Sequence, residues 1–160
     1  MIGEIAFALR FLFRRGQYSD DEAVVLFKAN PFRWFFGSAS HPFEWPHNTS
    51  NGSINPDKIY IYVGSQTIGY IQGLHIQLWR KTAYVRHFAV ASGLERRGIG
   101  TAMAYALRLA LTTHYGVKSI IFDENSSGYA TKGYESFFQS LGATPCNPVN
   151  GGHHDWKWGA

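Results

Sequence analysis

Two arginines and two glycines stand together in the run Glu-Arg-Arg-Gly-Ile-Gly-Thr-Ala at residues 95–102. This run lies between a strand-like apolar segment, residues 84–90, and a helix-like segment that begins at Gly98. A glycine-rich turn lets the backbone approach a ligand closely, and the N–H groups of the first helical turn have no partners within the helix. The helix dipole adds positive potential there, and Arg96 and Arg97 reinforce it. The run therefore predicts a phosphate-type anion site, with tight backbone packing as the alternative.

The spacing excludes two common nucleotide motifs. The run contains no Gly-x-x-x-x-Gly-Lys-Ser/Thr, and no third glycine follows at dinucleotide spacing. It resembles instead the pyrophosphate loop of the GNAT superfamily of acetyl-CoA-dependent N-acetyltransferases, which reads Gln/Arg-x-x-Gly-x-Gly/Ala after the fourth strand. Glu95 departs from that pattern. The resemblance extends over residues 58–143 and includes residues 87–91 as the fourth strand, residues 119–124 as the fifth, and Leu141-Gly142.

The resemblance implies an α/β fold with a GNAT-like mixed, mostly antiparallel central sheet, helices on both faces, and a splayed parallel strand pair that holds the coenzyme. We expect one GNAT-like domain over residues 1–160. The implied activity is direct transfer of an acetyl group from acetyl-CoA, as co-substrate, to an amine acceptor. The alternative is a GNAT fold that binds CoA or a partner without turnover.

The coenzyme site follows from the same resemblance. Backbone N–H groups of residues 96–101 would hold the pyrophosphate, and the strand ending at Val90 would pair with the pantetheine arm. Because these contacts are mostly backbone, Glu95 weakens them without abolishing them. The predicted coenzyme-binding residues are Phe88, Ala89, Val90, Arg96, Arg97, Gly98, Ile99, Gly100, Thr101 and Asn125.

The proton donor is the point at which the chain departs most from the family. The family's tyrosine acid lies four residues before a glycine, and four residues before Gly142 stands Phe138, which cannot donate a proton. Tyr134 lies one helical turn earlier on the same face, about 6 Å away. We therefore predict Tyr134 as the acid, with Tyr129 or water as alternatives and a role for Tyr134 at the core edge left open.

A base for the acceptor amine has several candidates. The candidate bases in the sequence are His87, Glu124 and the histidines of residues 37–57. A histidine with a pKa of about 6.5 can accept a proton at neutral pH. Strand alternation places His87 with Val85 and Ala89, and a hydrogen-bonded structural role is the alternative. Ordered water could also accept the proton of the amine, in which case no protein base is required. No metal site is predicted, because adjacent His153 and His154 would point to opposite faces of a strand.

The remaining elements are read from periodicity and turn residues. Residues 19–22 have the form of a capping box, for a helix that stops at Asn30-Pro31. The predicted strands are residues 5–13, 58–63, 67–74, 79–90, 119–124 and 155–158; the other predicted helices are residues 98–115 and 131–141. Residues 37–57 are predicted to form a loop. The resemblance implies that this loop covers the acceptor site, and the alternative is that Phe43 and Trp45 only pin it to the core. The stripe expected in the core is Ile99, Met103, Ala106, Leu107, Ala110 and Leu111.

The amino-acid composition limits the kinds of partner that the protein is expected to bind. The net charge of +4 favours anionic ligands, whereas the short basic clusters do not favour nucleic acid. One cysteine, Cys146, and the absence of a signal-like or membrane-spanning run lead us to expect a cytoplasmic protein. The expected acceptor is an amine on a small molecule or a protein. A homodimer or partner surface is predicted from aromatic residues expected to be exposed, Trp34, Phe35, Phe36, Trp156 and Trp158.

Overall fold

The computed structural model describes residues 18–35, 52–54, 58–123, 134–149 and 153–159. Its helices are α1 (Asp20–Ala29), α2 (Pro31–Phe35), α3 (Ile99–Tyr115) and α4 (Tyr134–Ser140). Its strands are β1 (Ser53–Ile54), β2 (Lys58–Val63), β3 (Gln66–Gln72), β4 (His75–Gln77), β5 (Thr82–Val85), β6 (His87–Val90), β7 (Ser119–Phe122), β8 (Thr144–Val149) and β9 (His153–Gly159). The predicted strand at residues 5–13 lies outside the described residues, as does the predicted loop at 37–57 apart from residues 52–54.

Helix α1 begins with the predicted capping box. The Glu22 N–H donates to the Ser19 hydroxyl at 3.3 Å, and the Ser19 N–H donates to the Glu22 carboxylate at 2.9 Å. The helix ends at Ala29, so the predicted stop at Asn30-Pro31 is confirmed. Pro31 then opens α2, a short helix that the sequence analysis did not predict, because proline fits the first position of a helix as well as it ends one.

The hairpin predicted after residue 58 is confirmed. Strands β2 and β3 pair antiparallel around the Gly64-Ser65 turn, and β3 pairs antiparallel with β6. Among the described strands these make a three-stranded sheet in the order β2-β3-β6. Helix α1 packs against β2 and β3, and α3 packs against β6. This sheet therefore brings α1 and α3 to the strand that precedes the glycine run.

A second sheet of the described strands has the order β1-β4-β5-β7-β9-β8. Its β5 and β7 are parallel, with Thr82 opposite Ser119 and Val85 opposite Phe122, and the other pairs are antiparallel. Helix α3 makes the crossover between the two parallel strands. The predicted fold class, a mixed and mostly antiparallel α/β fold with a splayed strand pair, is confirmed.

The splay originates at Arg86. One continuous strand at residues 79–90 was the prediction, and it is wrong: β5 begins at Thr82, and Arg86 separates it from β6, which joins the other sheet. Val85 and Phe88 are both buried, so the inside-outside alternation shifts by one residue at Arg86. The alternation that placed His87 on the face of Val85 therefore does not hold. Because β6 turns away while β7 continues beside β5, a gap opens between the two sheets.

Helix α3 is the centre of the core. All six residues of the predicted stripe are buried, none more than 4% exposed: Ile99, Met103, Ala106, Leu107, Ala110 and Leu111. Gly116 caps the helix with φ 62°, as the left-handed prediction required. In the described part of the chain, no helix has both the length and the apolar character needed to cross a bilayer.

The tryptophans predicted to form a partner surface are buried. Trp34, Trp156 and Trp158 are 7%, 2% and 4% exposed, so the expectation that they are exposed is wrong. Trp156 stacks on Phe138 with ring centroids 5.6 Å apart. Trp158 lies 5.1 Å from the Tyr105 ring of α3. The reason is topological: β9 lies between β7 and β8, so a tail that looks peripheral in sequence is an inner strand of the sheet. The side chain of Phe35 and all of Phe36 lie outside the described residues.

Candidate functional site

The loop between β6 and α3 has an uncommon backbone. Gly93, Arg96 and Gly98 have φ values of 87°, 59° and 80°. Left-handed backbone costs a residue with a side chain about 1–2 kcal/mol, so Arg96 keeps it only because its surroundings impose it. Leu94, 1% exposed, anchors the loop in the core, and its N–H donates to the Ala91 carbonyl at 3.0 Å. The result is a tightly wound turn that ends at the start of α3.

Glu95 stabilises this turn. Its carboxylate accepts a hydrogen bond from the Gly93 N–H at 2.7 Å. A charged acceptor makes a stronger hydrogen bond to an N–H than a neutral one does. The residue that departs from the family pattern thus has a local structural contact, in which a glutamine also fits as acceptor.

Helix α1 packs along the outside of the loop. The Arg97 guanidinium donates to the Asp21 carboxylate at 2.6 Å, and the two side chains are 40% and 87% exposed. An ion pair this exposed contributes under about 1 kcal/mol, so it orients Arg97 more than it stabilises the fold. Farther along α1, the Lys28 Nζ lies 3.3 Å from the position that a Cβ on Gly98 would take. Lys28 was not among the predicted site residues, because only the packing of α1 brings it to residue 98.

A cleft of about 740 Å³ opens beside the loop. It lies between β6, the loop, the first turn of α3, and α4. Its described lining residues are Phe88, Ala89, Val90, Glu95, Arg96, Gly98, Gly100, Thr101, Ser136 and Phe137. The rings of Phe88 and Phe137 stack with centroids 6.1 Å apart and give the cleft an apolar part. Arg96 and Glu95 contribute charged groups to the same lining.

Most of the residues predicted to bind the coenzyme meet in this cleft. Ile99 differs, since it is 1% exposed and belongs to the core. Arg97 differs as well, since its side chain pairs with Asp21. Asn125 lies outside the described residues. The lining also includes Ser136 and Phe137, which were not predicted. The only signal for them in the sequence was their position next to Phe138 on a predicted helix.

The candidate catalytic residues are placed less completely. His87 is half-buried at the start of β6, opposite Gln72 of β3, and it is not among the described lining residues of the cleft. Tyr134 is the first residue of α4, but its side chain lies outside what the structure describes. Glu124 and Tyr129 also lie outside the described residues. Their roles stay predictions.

Phe138, at the position of the family's tyrosine acid, is a core residue. It is 1% exposed, and its ring centroid lies 5.2 Å from that of Phe122 and 5.6 Å from that of Trp156. A phenol hydroxyl buried among these rings would need a hydrogen-bond partner that they do not provide. Phenylalanine therefore suits this environment.

In the ranges that the structure describes, no three His, Cys, Asp or Glu side chains cluster in a way that would hold a metal ion. The described lining is instead mostly aromatic, aliphatic and small, with one arginine, Arg96, and one glutamate, Glu95, whose carboxylate accepts from the Gly93 N–H. The described site is therefore suited to an elongated ligand with an anionic part and an apolar part.

Comparison with known proteins places the chain in a family. Residues 25–137 match the acetyltransferase (GNAT) family, which is more than half of the chain. The chain belongs to the GNAT acetyltransferase family. No curated protein matches it significantly.

Solved structures with a similar fold have low sequence identity. The PaiA N-acetyltransferase from Thermoplasma acidophilum, in complex with coenzyme A, is 12% identical, with 64% of this chain and 60% of that chain covered and a TM-score of 0.48. The ribosomal-protein-S18-alanine N-acetyltransferase from Escherichia coli is 17% identical, with 81% and 86% covered and a TM-score of 0.48. Arabidopsis thaliana Naa50, in complex with the bisubstrate analogue CoA-Ac-MVNAL, is 14% identical, with 63% and 71% covered and a TM-score of 0.43.

Proposed function

We propose that the protein is an N-acetyltransferase that takes its acetyl group from acetyl-CoA and passes it directly to an amine. The observation that carries the proposal is the cleft, in which the edge of β6, the left-handed turn at Gly98 and the first turn of α3 face the same space. Membership of the GNAT family supports this assignment.

The anionic part of the coenzyme fits the loop end of the cleft. Gly98 has no side chain to accept from the first-turn N–H groups of α3, so these remain donors for a ligand. Gly98 and Gly100 also leave the backbone open to close approach. Arg96 lines the same end and adds positive charge. We assign the pyrophosphate to the backbone of residues 96–101.

The pantetheine arm fits the edge of β6. Among the described strands, β6 pairs with β3 on one side and has no strand on the other, because β5 remains with β7. An open strand edge offers N–H and C=O groups to a partner that carries amides of its own. Phe88 and Phe137 provide apolar surface beside this edge. We assign the arm to Ala89 and Val90 and, by family pattern, a further contact to Asn125.

Bound acetyl-CoA would supply the acetyl group as a thioester. In this proposal the chain positions the thioester, Tyr134 donates a proton to the departing sulfur, and His87, Glu124 or water accepts the proton of the amine. The chain's single cysteine supports transfer without an acyl-enzyme, because Cys146 lies on β8 and is not among the described lining residues of the cleft. Burial raises the pKa of the Cys146 thiol, Asp155 raises it further and Lys157 partly offsets this, so the thiol is a poor nucleophile.

The first test is calorimetric titration of the wild type with acetyl-CoA and with CoA, repeated on Gly98→Trp. The tryptophan places a large side chain on a residue that lines the cleft, and we expect saturable binding by the wild type and none by the variant. Gly116→Trp is a matched control: Gly116 is also left-handed, at the other end of the same helix, and a Cβ there meets nothing within 4 Å. Absence of binding by folded wild type rejects the proposal.

A CoA-binding module without turnover is the second candidate, and the buried Phe138 favours it. Release of free CoA thiol, measured over a panel of small amines and peptide N-termini, separates the two. We expect turnover by the wild type and a loss in kcat of about 10²–10⁴ for Tyr134→Phe, the range for general acid catalysis. Binding without thiol release over the panel would support the module instead.

A further inference from the structure

Two cationic side chains lie where α1 meets the loop, and they differ in their contacts. Arg97 is paired with Asp21, whereas Lys28 forms no ion pair within the described part of the chain. The position of Lys28 beside Gly98 is not explained by the family pattern, which ends at the loop itself. This inference rests on the proposed function, because it concerns the same ligand.

Lys28 occupies the space that a side chain at residue 98 would need. Its Nζ lies 3.3 Å, and its Cε 3.5 Å, from an ideal Cβ built on Gly98. Gly98 itself lines the cleft. The ammonium group thus lies at the start of α3, where the helix dipole already favours an anion.

The packing of α1 explains this placement. Asp21 and Lys28 are seven residues apart, so they lie about two turns apart on the same face of α1, separated by about 10 Å. Asp21 holds Arg97 at one end of this face and Lys28 reaches Gly98 at the other. The Gln66 amide donates to Asp20 at 2.8 Å and ties the start of α1 to the β2-β3 hairpin. Helix α1 therefore has a defined register along the loop.

We propose that Lys28 binds the pyrophosphate of the coenzyme together with the backbone of residues 96–101. An ammonium donates three hydrogen bonds and serves phosphate as a point charge. The Arg97 side chain is instead oriented by Asp21 and contributes only its backbone to the site. The competing role for Lys28 is favourable interaction with the C-terminal dipole of α1, in whose last turn it lies.

Three ligands with different phosphate content test the proposal on Lys28→Met. CoA carries a pyrophosphate and a 3′-phosphate, dephospho-CoA retains only the pyrophosphate, and S-acetylpantetheine has neither. We expect Lys28→Met to weaken CoA and dephospho-CoA by the same factor, about tenfold, or about 1.4 kcal/mol. The KM of S-acetylpantetheine as acetyl donor should not change. Lys28→Arg should restore most of the affinity.

Lys118→Met is the matched control, since it removes one exposed lysine just after the other end of α3. It should leave all three ligands unchanged. Unaltered CoA affinity in Lys28→Met, with a wild type that binds, would reject the role of Lys28 and leave the proposed function intact. A loss confined to CoA would move Lys28 to the 3′-phosphate, and an equal loss with S-acetylpantetheine would reduce it to a structural role; both overturn the proposal. Failure of the wild type to bind any CoA rejects the coenzyme site and Lys28 together.

Discussion

A glycine in the left-handed backbone conformation stands at each end of α3, but the surroundings of the two glycines differ. Gly98 precedes the helix with φ 80°, and Gly116 follows it with φ 62°. At the C-terminal end the Gly116 N–H donates to the Thr112 carbonyl at 3.0 Å, and the Val117 N–H donates to Leu111 at 3.3 Å. The helix thereby satisfies its last carbonyls from its own chain.

The N-terminal end is arranged differently. Gly98 offers no side chain to the first-turn N–H groups, and these groups belong to the part of α3 that borders the cleft. Arg96 lines the cleft and Lys28 lies beside Gly98, so both bring positive charge to this end of the helix. A left-handed glycine at a helix end is thus compatible with a closed cap or with an open site. The neighbouring elements decide between them.

The largest expected effect is on the affinity for acetyl-CoA, and it comes from a substitution at the N-terminal end of α3 that should not disturb folding. Gly100 lines the cleft with an ordinary helical backbone, and a Cβ there would lie 3.5 Å from Phe137 and 3.7 Å from Val90, normal contact distances. Gly100→Leu should weaken acetyl-CoA binding by at least about thirtyfold, or about 2 kcal/mol, because its side chain extends into the cleft. Gly100→Ala should bind nearly as the wild type does. Calorimetric titration measures both.

Leucine and alanine have similar helix propensities, so the pair is matched in folding. Both variants should be as stable as the wild type or up to about 1 kcal/mol more stable, since each replaces a glycine within a helix. Equal affinity of Gly100→Leu and Gly100→Ala would contradict the assignment of the open end to the ligand.

The next effect is on stability and has opposite signs at the two ends. Gly116→Ala forces a side chain into left-handed backbone and should lower the free energy of unfolding by about 1–2 kcal/mol. For a chain of this size each 1 kcal/mol shifts Tm by about 2–4 °C. Thermal unfolding should therefore place Gly116→Ala below the wild type and Gly100→Ala at or above it. A stable Gly116→Ala variant would mean that the cap does not require its left-handed geometry.

The smallest effect concerns Tyr115, the last residue of α3. Burial raises the pKa of its phenol above the usual 10.0. Because the folded pKa lies above the unfolded one, the stability associated with the neutral phenol is fully present below pH about 10 and is lost as pH rises through the folded pKa. Denaturant unfolding should show this alkaline loss in the wild type and less of it in Tyr115→Phe.

Tyr105→Phe, on the same helix, is the control for Tyr115 and should retain the alkaline loss of the wild type. Saturation with CoA should leave the phenolate absorbance of Tyr115 unchanged, since the proposed coenzyme site lies at the opposite end of α3. A ligand-induced shift in that titration would show that the two ends are coupled and would weaken the comparison.

Local patterns predicted the elements around the site well. The capping box at Ser19, the hairpin at residues 58–74, the buried stripe of α3 and its cap at Gly116 all depend on residues within a few positions of one another. Propensity, periodicity and capping act at that range. The same short range explains why the glycine run at residues 95–102 was identified as the centre of the site.

Patterns that depend on distant segments were predicted poorly. The strand at residues 79–90 looked continuous, because nothing local reveals that β6 will join β3 while β5 joins β7. Trp156 and Trp158 looked like a surface, because their burial needs β7 on one side of β9 and β8 on the other.

The sequence by itself determined the family, the helices α1 and α3, the β2-β3 hairpin and the position of the glycine turn, since each is written in contiguous residues. Only the tertiary structure decided which charged side chains lie beside the glycine turn. Arg97 is adjacent to the glycines in sequence but pairs with Asp21, whereas Lys28, seventy residues earlier along the chain, lies beside Gly98. The physical reason is that the packing of α1 against β2 and β3 sets the register of its side chains along the loop, and no local pattern contains that register.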